Sequence, residues 1–311
     1  MDKTMKTIFR SWNWPSNENN SFSKRPTPYN ISRTNCINPG TVYRSWNFMF
    51  DRGYVSNVIL RPTSIMIERN FAVIVNVPKE EVDIIISKFS KAYFVEMIHT
   101  GLVFEASGVF RDVGYTGRIL MVEIVNTSPE LLDKQLSILS ELINNKNQIH
   151  NLYTSTKTFT EKLDTTTKTL IKLISYKDIY LISTKALANL LGESRKTVSR
   201  KLDFLLRQNF FSTFPVLNQS NIVGFNLYLI NILVSANSNA TIELDKAFKI
   251  PSVSENYLLY RIDNTSILLL MSYDSIGEMD RCVKELRLAF LDFIVLNRFE
   301  TVLNNNIDII M

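Results

Sequence analysis

Cationic and short polar side chains cluster between Ser194 and Gln208, and they are of the types that bind nucleic acid. Arginine can donate two hydrogen bonds to one guanine, and lysine neutralises phosphate. Helical spacing places Arg195, Lys196, Ser199, Arg200, Asp203 and Arg207 on the exposed face of a predicted helix, and Lys201 is a further candidate for contact. We therefore predict DNA contacts by the first four of these and by Lys201, with Arg200 reading guanine and Lys196 and Lys201 on phosphates. The alternative is a solvated basic face on a structural helix.

The sequence contains a second, less cationic version of this segment, because the chain repeats itself. Residues 41–70 match residues 197–226 without a gap, at an offset of 156 (197 − 41). The equivalent candidates for DNA contact are Tyr43, Arg44 and Asn47. The formal charge is +1 from Asn38 to Arg52 and +4 from Ser194 to Gln208, so fewer counterions would be released by the first copy. Two interpretations of the first copy stay open, a base-reading helix and a degenerate packing domain.

Residues suited to catalysis or to metal binding are sparse. His99 and His150 lack neighbouring cysteines and paired carboxylates, and each is predicted to be a polar residue near a strand end. Two cysteines are too few for a disulfide framework or a multi-cysteine metal site. The glycines from Gly101 to Gly117 lack the lysine of a phosphate loop, and we expect a long hairpin loop there. No catalytic residue, metal site or cofactor is predicted.

Composition sets the broad class of the protein. The chain has 311 residues, of which 45% are hydrophobic and 21% charged, as in ordinary globular proteins. The net charge of +5 permits nucleic-acid binding without requiring it. No apolar run approaches the roughly 18 residues that a membrane span needs, and the N-terminus lacks a signal pattern. We expect a cytoplasmic protein without a membrane partner.

Helical spacing and capping residues predict three helices and a strand around the cationic cluster. The first helix spans about residues 164–177, and the second, 184–191, ends at Gly192. Ser194 is a favourable N-cap for the third helix, whose apolar face carries Val198, Leu202, Leu205 and Leu206. An apolar stretch at 210–216 follows as a wing strand. This order is that of a winged helix-turn-helix, and the first copy repeats it from Lys3 onward.

A strand-rich half follows each helix-turn-helix, in the order βαββαβ of a ferredoxin-like domain. The second copy gives strands at 226–234, 255–262, 267–273 and 293–299, with helices at 242–248 and 275–290. The first copy gives strands at 71–77, 93–99, 119–125 and near 149, with helices at 80–91 and 128–143. We therefore predict an α+β fold with four domains. Two are winged helix-turn-helix units (1–66 and 156–221), and two are ferredoxin-like (67–155 and 222–311).

The segment from Ala186 to Leu202 resembles the helix-turn-helix of the Lrp/AsnC family of feast/famine regulators. It reads ALANLLGESRKTVSRKL, close to the family pattern A-x-x-L-G-x-S-x-x-T-V-x-R-R-L. The resemblance covers nearly the whole chain and occurs twice. It implies a sequence-preferring transcription regulator that binds double-stranded DNA and dimerises through its sheets. It also implies an effector of unknown identity. We expect an intramolecular pseudo-dimer with its two sheets packed on each other, compatible with further assembly of copies.

Two alternatives to the regulator stay open. Sirohaem decarboxylases resemble the same architecture, and their middle strand carries a His-Asn-Tyr-like segment. This chain has Ser254-Glu255-Asn256-Tyr257 there, with Glu255 in place of the histidine that would donate a proton, so we predict that the chain is not an enzyme. The other alternative is a ligand-free architectural DNA-binding protein. The glycine-bearing turn of amino-acid sensors is missing at Asp263-Asn264-Thr265 and is altered by an insert after Thr100-Gly101.

Overall fold

The computed structural model describes residues 1–14, 22–74, 77–112, 117–126, 129–143, 149–155, 163–218, 221–222, 226–234, 238–263 and 265–304. The chain divides into two compact units, each assembled from both copies. Unit 1 combines Met1–Met66 with Lys157–Asn221, and unit 2 combines Ile67–Thr156 with Ile222–Ile310. The two helix-turn-helix segments therefore share unit 1, and the two strand-rich segments share unit 2. The division into four domains stays a prediction.

The two copies contain closely matching elements. The first copy comprises α1 (Lys3–Ser11), α2 (Pro28–Thr34), α3 (Pro39–Asp51), β1 (Val55–Pro62), β2 (Glu68–Ile74), α4 (Val82–Phe89), β3 (Val95–Ser107), α5 (Val109–Asp112), β4 (Arg118–Asn126), α6 (Pro129–Ile143) and β5 (Ile149–Ser155). The second comprises α7 (Thr165–Ile174), α8 (Thr184–Leu191), α9 (Arg195–Arg207), β6 (Phe211–Leu217), β7 (Asn226–Leu233), α10 (Ala240–Phe248), α11 (Pro251–Asn256), β8 (Tyr257–Asp263), β9 (Ser266–Tyr273), α12 (Ile276–Ala289) and β10 (Phe293–Leu303). Two short 3₁₀ helices lie at Phe22–Lys24 and Lys79–Glu81.

Helix α9 begins where its sequence predicts. The Ser194 side chain accepts a hydrogen bond from the backbone N–H of Thr197, which satisfies one of the free amides of the first turn. The preceding turn passes through Gly192 in the left-handed conformation (φ 65°), which glycine adopts without steric cost. The predicted apolar face of α9 is buried in unit 1: Val198, Leu202, Leu205 and Leu206.

The strands that follow α3 and α9 pair with each other. Strands β1 and β6 form a two-stranded antiparallel sheet, which we call the ribbon, from Val55 opposite Leu217 to Pro62 opposite Phe211. The predicted wing strand at 210–216 is therefore present, and its partner is the equivalent strand of the other copy. The ribbon joins the two helix-turn-helix segments through backbone hydrogen bonds.

An aromatic cluster also joins the two copies within unit 1. The indole N–H of Trp12 donates to the Tyr180 hydroxyl at 2.9 Å, and that hydroxyl donates to the carbonyl of Pro26 at 2.7 Å. Trp46 lies edge-on to both rings, with centroid distances of 5.6 Å to Trp12 and 5.4 Å to Tyr180. Burial raises the pKa of Tyr180 far above its usual value, so the phenol keeps the proton that it donates.

Unit 2 is built on one eight-stranded sheet. Its strand order is β5-β2-β4-β3-β10-β7-β9-β8. Each copy contributes four neighbouring strands in the ferredoxin-like order, and β3 pairs antiparallel with β10 where the copies meet. The predicted fold class is therefore confirmed: the chain is α+β, with winged helix-turn-helix and ferredoxin-like parts. No helix among the described residues is both long enough and apolar enough to cross a membrane.

The halves of this sheet also contact each other face to face. Every residue of β9 is buried, although only alternate residues, such as Leu269 and Met271, belong to the core beneath the helices. The other side of the sheet is covered as well, since Arg261 on β8 reaches Glu123 on β4 at 2.8 Å and lies 5.5 Å from the Phe71 ring on β2. The expected packing of the two sheets on each other is thus present within the chain.

The insert after Gly101 in the first copy continues strand β3. Strand β3 extends to Ser107, and helix α5 follows, where a long hairpin loop was predicted. The pairing of β3 with β10 explains the difference, because Phe293 to Asn297 pair with the segment from Leu102 to Ser107. Gly101 therefore lies inside a strand, and Gly114 lies outside the described residues.

Candidate nucleic-acid interface and buried charge cluster

Four of the five predicted contact residues of the second copy are exposed on α9. These are Arg195, Lys196, Ser199 and Arg200. They occupy the first two turns, and the unpaired amides of the first turn add partial positive charge there. The opposite face of α9 is anchored in unit 1, so the helix presents a fixed row of donors. A helix that reads the major groove needs such donors in its N-terminal half.

Lys201, the fifth predicted residue, is engaged within the protein. Its ammonium lies 2.8 Å from both carboxylate oxygens of Asp164 and 2.8 Å from the Thr167 hydroxyl. The hydrogen bond from Lys201 is the main cause that holds the pKa of Asp164 far below its usual range. A phosphate contact by Lys201 would have to compete with this ion pair, which fastens the start of α7 to α9.

Helix α3 presents the equivalent surface of the first copy. Tyr43, Arg44 and Asn47 are all exposed, as their helical spacing predicts. The Arg44 guanidinium folds back on its own helix, and its Nε donates to the carbonyl of Gly40 at 3.2 Å. The surface of α3 therefore offers an aromatic ring, an amide and one partly engaged cation.

His99 has a different environment from the one predicted. It lies within β3 and is fully buried, because the insert carries the strand beyond it. Its Nε2 lies 2.8 Å from Glu123 Oε1, and its Nδ1 lies 2.9 Å from the Thr301 hydroxyl of the second copy. The prediction of a strand-end histidine is wrong for His99. His150 is the second residue of β5 and pairs with Val73.

A cluster of buried ionisable side chains lies in unit 2, and the sequence analysis missed it. Its members, which we call the charge cluster, are Arg69, Glu96, His99, Glu123, Arg261 and Asp263. Arg69 binds Glu96 through two hydrogen bonds of 2.7 and 3.0 Å. Arg261 bridges the copies, with Nη2 on Glu123 at 2.8 Å and Nε on Asp263 at 3.1 Å. Charged residues inside otherwise apolar strands were the available signal, since isolated charges are rarely buried.

The segment compared with sirohaem decarboxylases does not lie in a middle strand. Ser254, Glu255 and Asn256 end helix α11, and β8 begins at Tyr257. Glu255 is exposed, so it is absent from the charge cluster. Among the residues that the structure describes, no group of three or more histidine, cysteine or acidic side chains has a metal-binding arrangement.

Comparisons with known proteins show likeness at the level of fold. No family model and no curated protein matches the chain. A crystal structure of the siroheme decarboxylase NirDL covers 97% of this chain and 93% of its own, with 11% identity and a TM-score of 0.47. The same enzyme in complex with an iron-uroporphyrin III analogue covers 86% and 83%, with 11% identity and a TM-score of 0.46. The crystal structure of PH0061 matches 49% of this chain and 98% of its own, with 16% identity and a TM-score of 0.28.

These comparisons correct one prediction from the sequence. The expectation that the chain is not an enzyme is corrected here, because solved structures with this fold include those of an enzyme, the siroheme decarboxylase NirDL, and the fold therefore does not exclude catalysis. The substitution at Glu255 was its main support, and that residue lies on a different element from the one assumed.

Proposed function

We propose that the chain binds double-stranded DNA with a preference for sequence and regulates transcription. The observation that carries the proposal is the exposed row on α9, whose four members were named above. Arg200 is positioned in the second turn to reach a base edge, while Arg195 and Lys196 stand at the helix start, where phosphates are met. The opposite face of α9 is buried, which fixes the orientation of these donors.

The distribution of charge supports the same function. Phosphate neutralisation supplies much of the affinity of such proteins, so binding should weaken steeply as salt is added. The cations of α9 give its segment the formal charge of +4, against +1 for the segment of α3. The second helix-turn-helix should therefore contribute most of the electrostatic term, and α3 should contribute chiefly through uncharged groups.

Retardation of labelled promoter fragments from the source genome tests the proposal. At low salt the intact chain should retard these duplexes, and the double substitution Arg195→Ala with Arg200→Ala should abolish retardation. Arg207→Ala is the matched control, since it removes an exposed cation from the last turn of the same helix. Absence of retardation at low salt, or equal losses from the control, would contradict DNA binding by α9.

The charge cluster favours a second candidate function, tetrapyrrole decarboxylation of the siroheme decarboxylase type. Arg69 and Arg261 are cations that could bind the carboxylates of such a substrate, and Nη1 of Arg261 has no hydrogen-bond partner among the described residues. Decarboxylation breaks a carbon–carbon bond, releases CO₂ and leaves an electron pair that must take up a proton. His99, held between Glu123 and Thr301, is an imidazole in this region that could supply it.

Titration with an iron-uroporphyrin III analogue tests this second function. A shift of its main absorption band on mixing, weakened by Arg261→Met, would support binding at the charge cluster. Incubation with sirohaem should then release CO₂, and His99→Gln should slow that release. An unshifted spectrum and unchanged sirohaem would rule out the candidate.

A further inference from the structure

We infer that the DNA target of this chain is non-palindromic, with two unlike half-sites placed symmetrically about one centre. The second helix-turn-helix would read a guanine-bearing half-site through Arg200, and the first would read an adenine-bearing half-site through Asn47. The inference rests on the proposed DNA-binding function. It goes beyond that function by assigning a distinct specificity to each copy.

The ribbon provides the symmetric frame. Val58 pairs with Pro215, and Ile59 pairs with Phe214. At the offset of 156, Val58 is equivalent to Phe214 and Ile59 to Pro215. A pseudo-two-fold axis therefore crosses the ribbon between these pairs, at the middle of β1. Helix α3 directly precedes β1, and helix α9 directly precedes β6. Because the two strands are antiparallel, the two helices are connected to opposite ends of the ribbon.

The turns that aim the two helices are also equivalent. Cys36 and Gly192, separated by 156 residues, are both left-handed before α3 and α9, with φ of 52° and 65°. Gly53 and Asn209, again 156 residues apart, are both left-handed after these helices, with φ of 66° and 54°. The backbone thus follows the same path in both copies, although only one copy has glycine at each of these positions.

The side chains carried on this frame differ at nearly every exposed position. Gly40 stands where the second copy has Lys196, and Tyr43 stands where it has Ser199. Arginine is shared at positions 44 and 200, but Arg44 is bonded to the carbonyl of Gly40. A symmetric pair of half-sites would require two similar surfaces, and these surfaces are dissimilar in charge, size and hydrogen bonding.

Asn47 gives the middle of α3 an amide donor and acceptor pair, where the equivalent position of α9 carries an aspartate. An exposed asparagine on a recognition helix can bind adenine through two hydrogen bonds. Its equivalent in the second copy, Asp203, is only partly exposed and accepts the backbone N–H of Phe22 at 2.9 Å. Asn47 is therefore free to specify a base, while Asp203 holds the segment of the first copy that packs beside α9.

Selection of duplexes from a random library on the intact chain tests the inference. The enriched motif should contain two half-sites of different sequence at a fixed separation. Asn47→Ala should reduce base discrimination about 5- to 150-fold at one position of one half-site and leave the other unchanged. Arg200→Ala should reduce base discrimination in the other half-site and leave the half-site read by Asn47 unchanged. Gln208→Ala, an exposed amide at the far end of α9, should change neither half-site.

The outcomes separate the inference from the proposed function. A palindromic motif, or a single half-site that Asn47→Ala does not alter, would overturn the inference and leave DNA binding intact. No enrichment of any sequence would overturn sequence-preferring binding itself, and the inference with it.

Discussion

Arg261 and Glu123 form a buried ion pair of 2.8 Å between the two copies, with side-chain exposures of 8% and 0%. Arg261 lies on β8, at one end of the eight-stranded order, and Glu123 lies on β4, the third strand from the other end. The pair therefore fastens one half of the sheet over the other. Arg261 also pairs with Asp263 of its own copy, so Asp263 and Glu123 share this cation and the ion pair with Glu123 couples the two strand-rich segments.

Removal of one partner of the Arg261–Glu123 ion pair should destabilise the fold. We expect Arg261→Ala to lower the free energy of unfolding by about 3–5 kcal/mol, because it leaves Glu123 buried without its cross-copy cation. Arg287→Ala is the control, since Arg287 pairs with Glu105 at 2.6 Å on a more exposed surface and should cost at most about 1 kcal/mol. Urea denaturation of both variants gives the comparison, and equal losses would show that burial of the pair is unimportant.

The arginines shared by α3 and α9 should differ in their effect on DNA binding. Arg200→Ala should weaken binding by about 1–3 kcal/mol and relax base preference. Arg44→Ala should cost clearly less, because its guanidinium is partly used on Gly40. Anisotropy titrations at one fixed salt concentration measure both losses. A larger loss at Arg44 would place the main reading surface on the first copy.

Two lysines of α9 should differ in their effect on salt dependence. Lys196→Met should reduce the slope of log affinity against log salt by about 1, as expected for one lost phosphate contact. Lys201→Met should reduce it less, because the Lys201 ammonium is held by Asp164. Titrations across a salt series provide the slopes. If the slopes fall equally, Lys201 leaves Asp164 to bind phosphate.

The Lys201–Asp164 contact should also appear in the pH dependence of stability. The pKa of Asp164 lies below its unfolded value of 3.8, so its stabilising effect is fully present above that value and is lost as the pH falls below it. Asp164→Asn should therefore lower the melting temperature near neutral pH, and the difference from the unaltered chain should shrink in acid. Asparagine can still cap α7, which isolates the charge. A difference that is constant with pH would exclude this origin.

The equivalent turns before α3 and α9 contain Cys36 and Gly192, both in the left-handed conformation. We expect substitutions at these two positions to change the stability of the fold by unequal amounts. Gly192→Ala should destabilise the fold by about 1–2 kcal/mol, since φ is 65° and no atom lies within 4 Å of the added Cβ. Cys36→Gly should change stability much less, because relief of left-handed strain is offset by greater freedom of the unfolded chain. Thermal denaturation distinguishes them. Tolerance of alanine at position 192 would show that this turn can relax.

Local patterns in the sequence predicted the elements well. Ser194 and the apolar spacing after it predicted α9, and alternating strands with a capping box at Ser275 predicted the order βαββαβ. Helix α11 was not predicted, and α2 was implied by the repeat without being located, because short helices of six or seven residues show little periodicity. Pattern reasoning therefore succeeded where the determinants lie within a few residues of one another.

The contacts between copies could not be predicted in the same way. Lys201 faces Asp164 across 37 residues, and His99 meets Thr301 across 202. Neither spacing leaves a periodic trace, since such contacts depend on how separate elements pack. The exposure of Arg200 followed from helical spacing alone, whereas the engagement of Lys201 required the position of α7.

The ribbon between β1 and β6 has a consequence for how this protein can change over generations. In an assembly of two identical chains, every mutation alters both halves at once. Here a mutation at Asn47 alters one half, and the residue at position 203 is untouched. Because the backbone pairing of the ribbon does not depend on the exposed side chains of α3, the first copy can exchange cations for other groups while its placement persists. The exposed residues of each copy can thus change independently of those of the other copy.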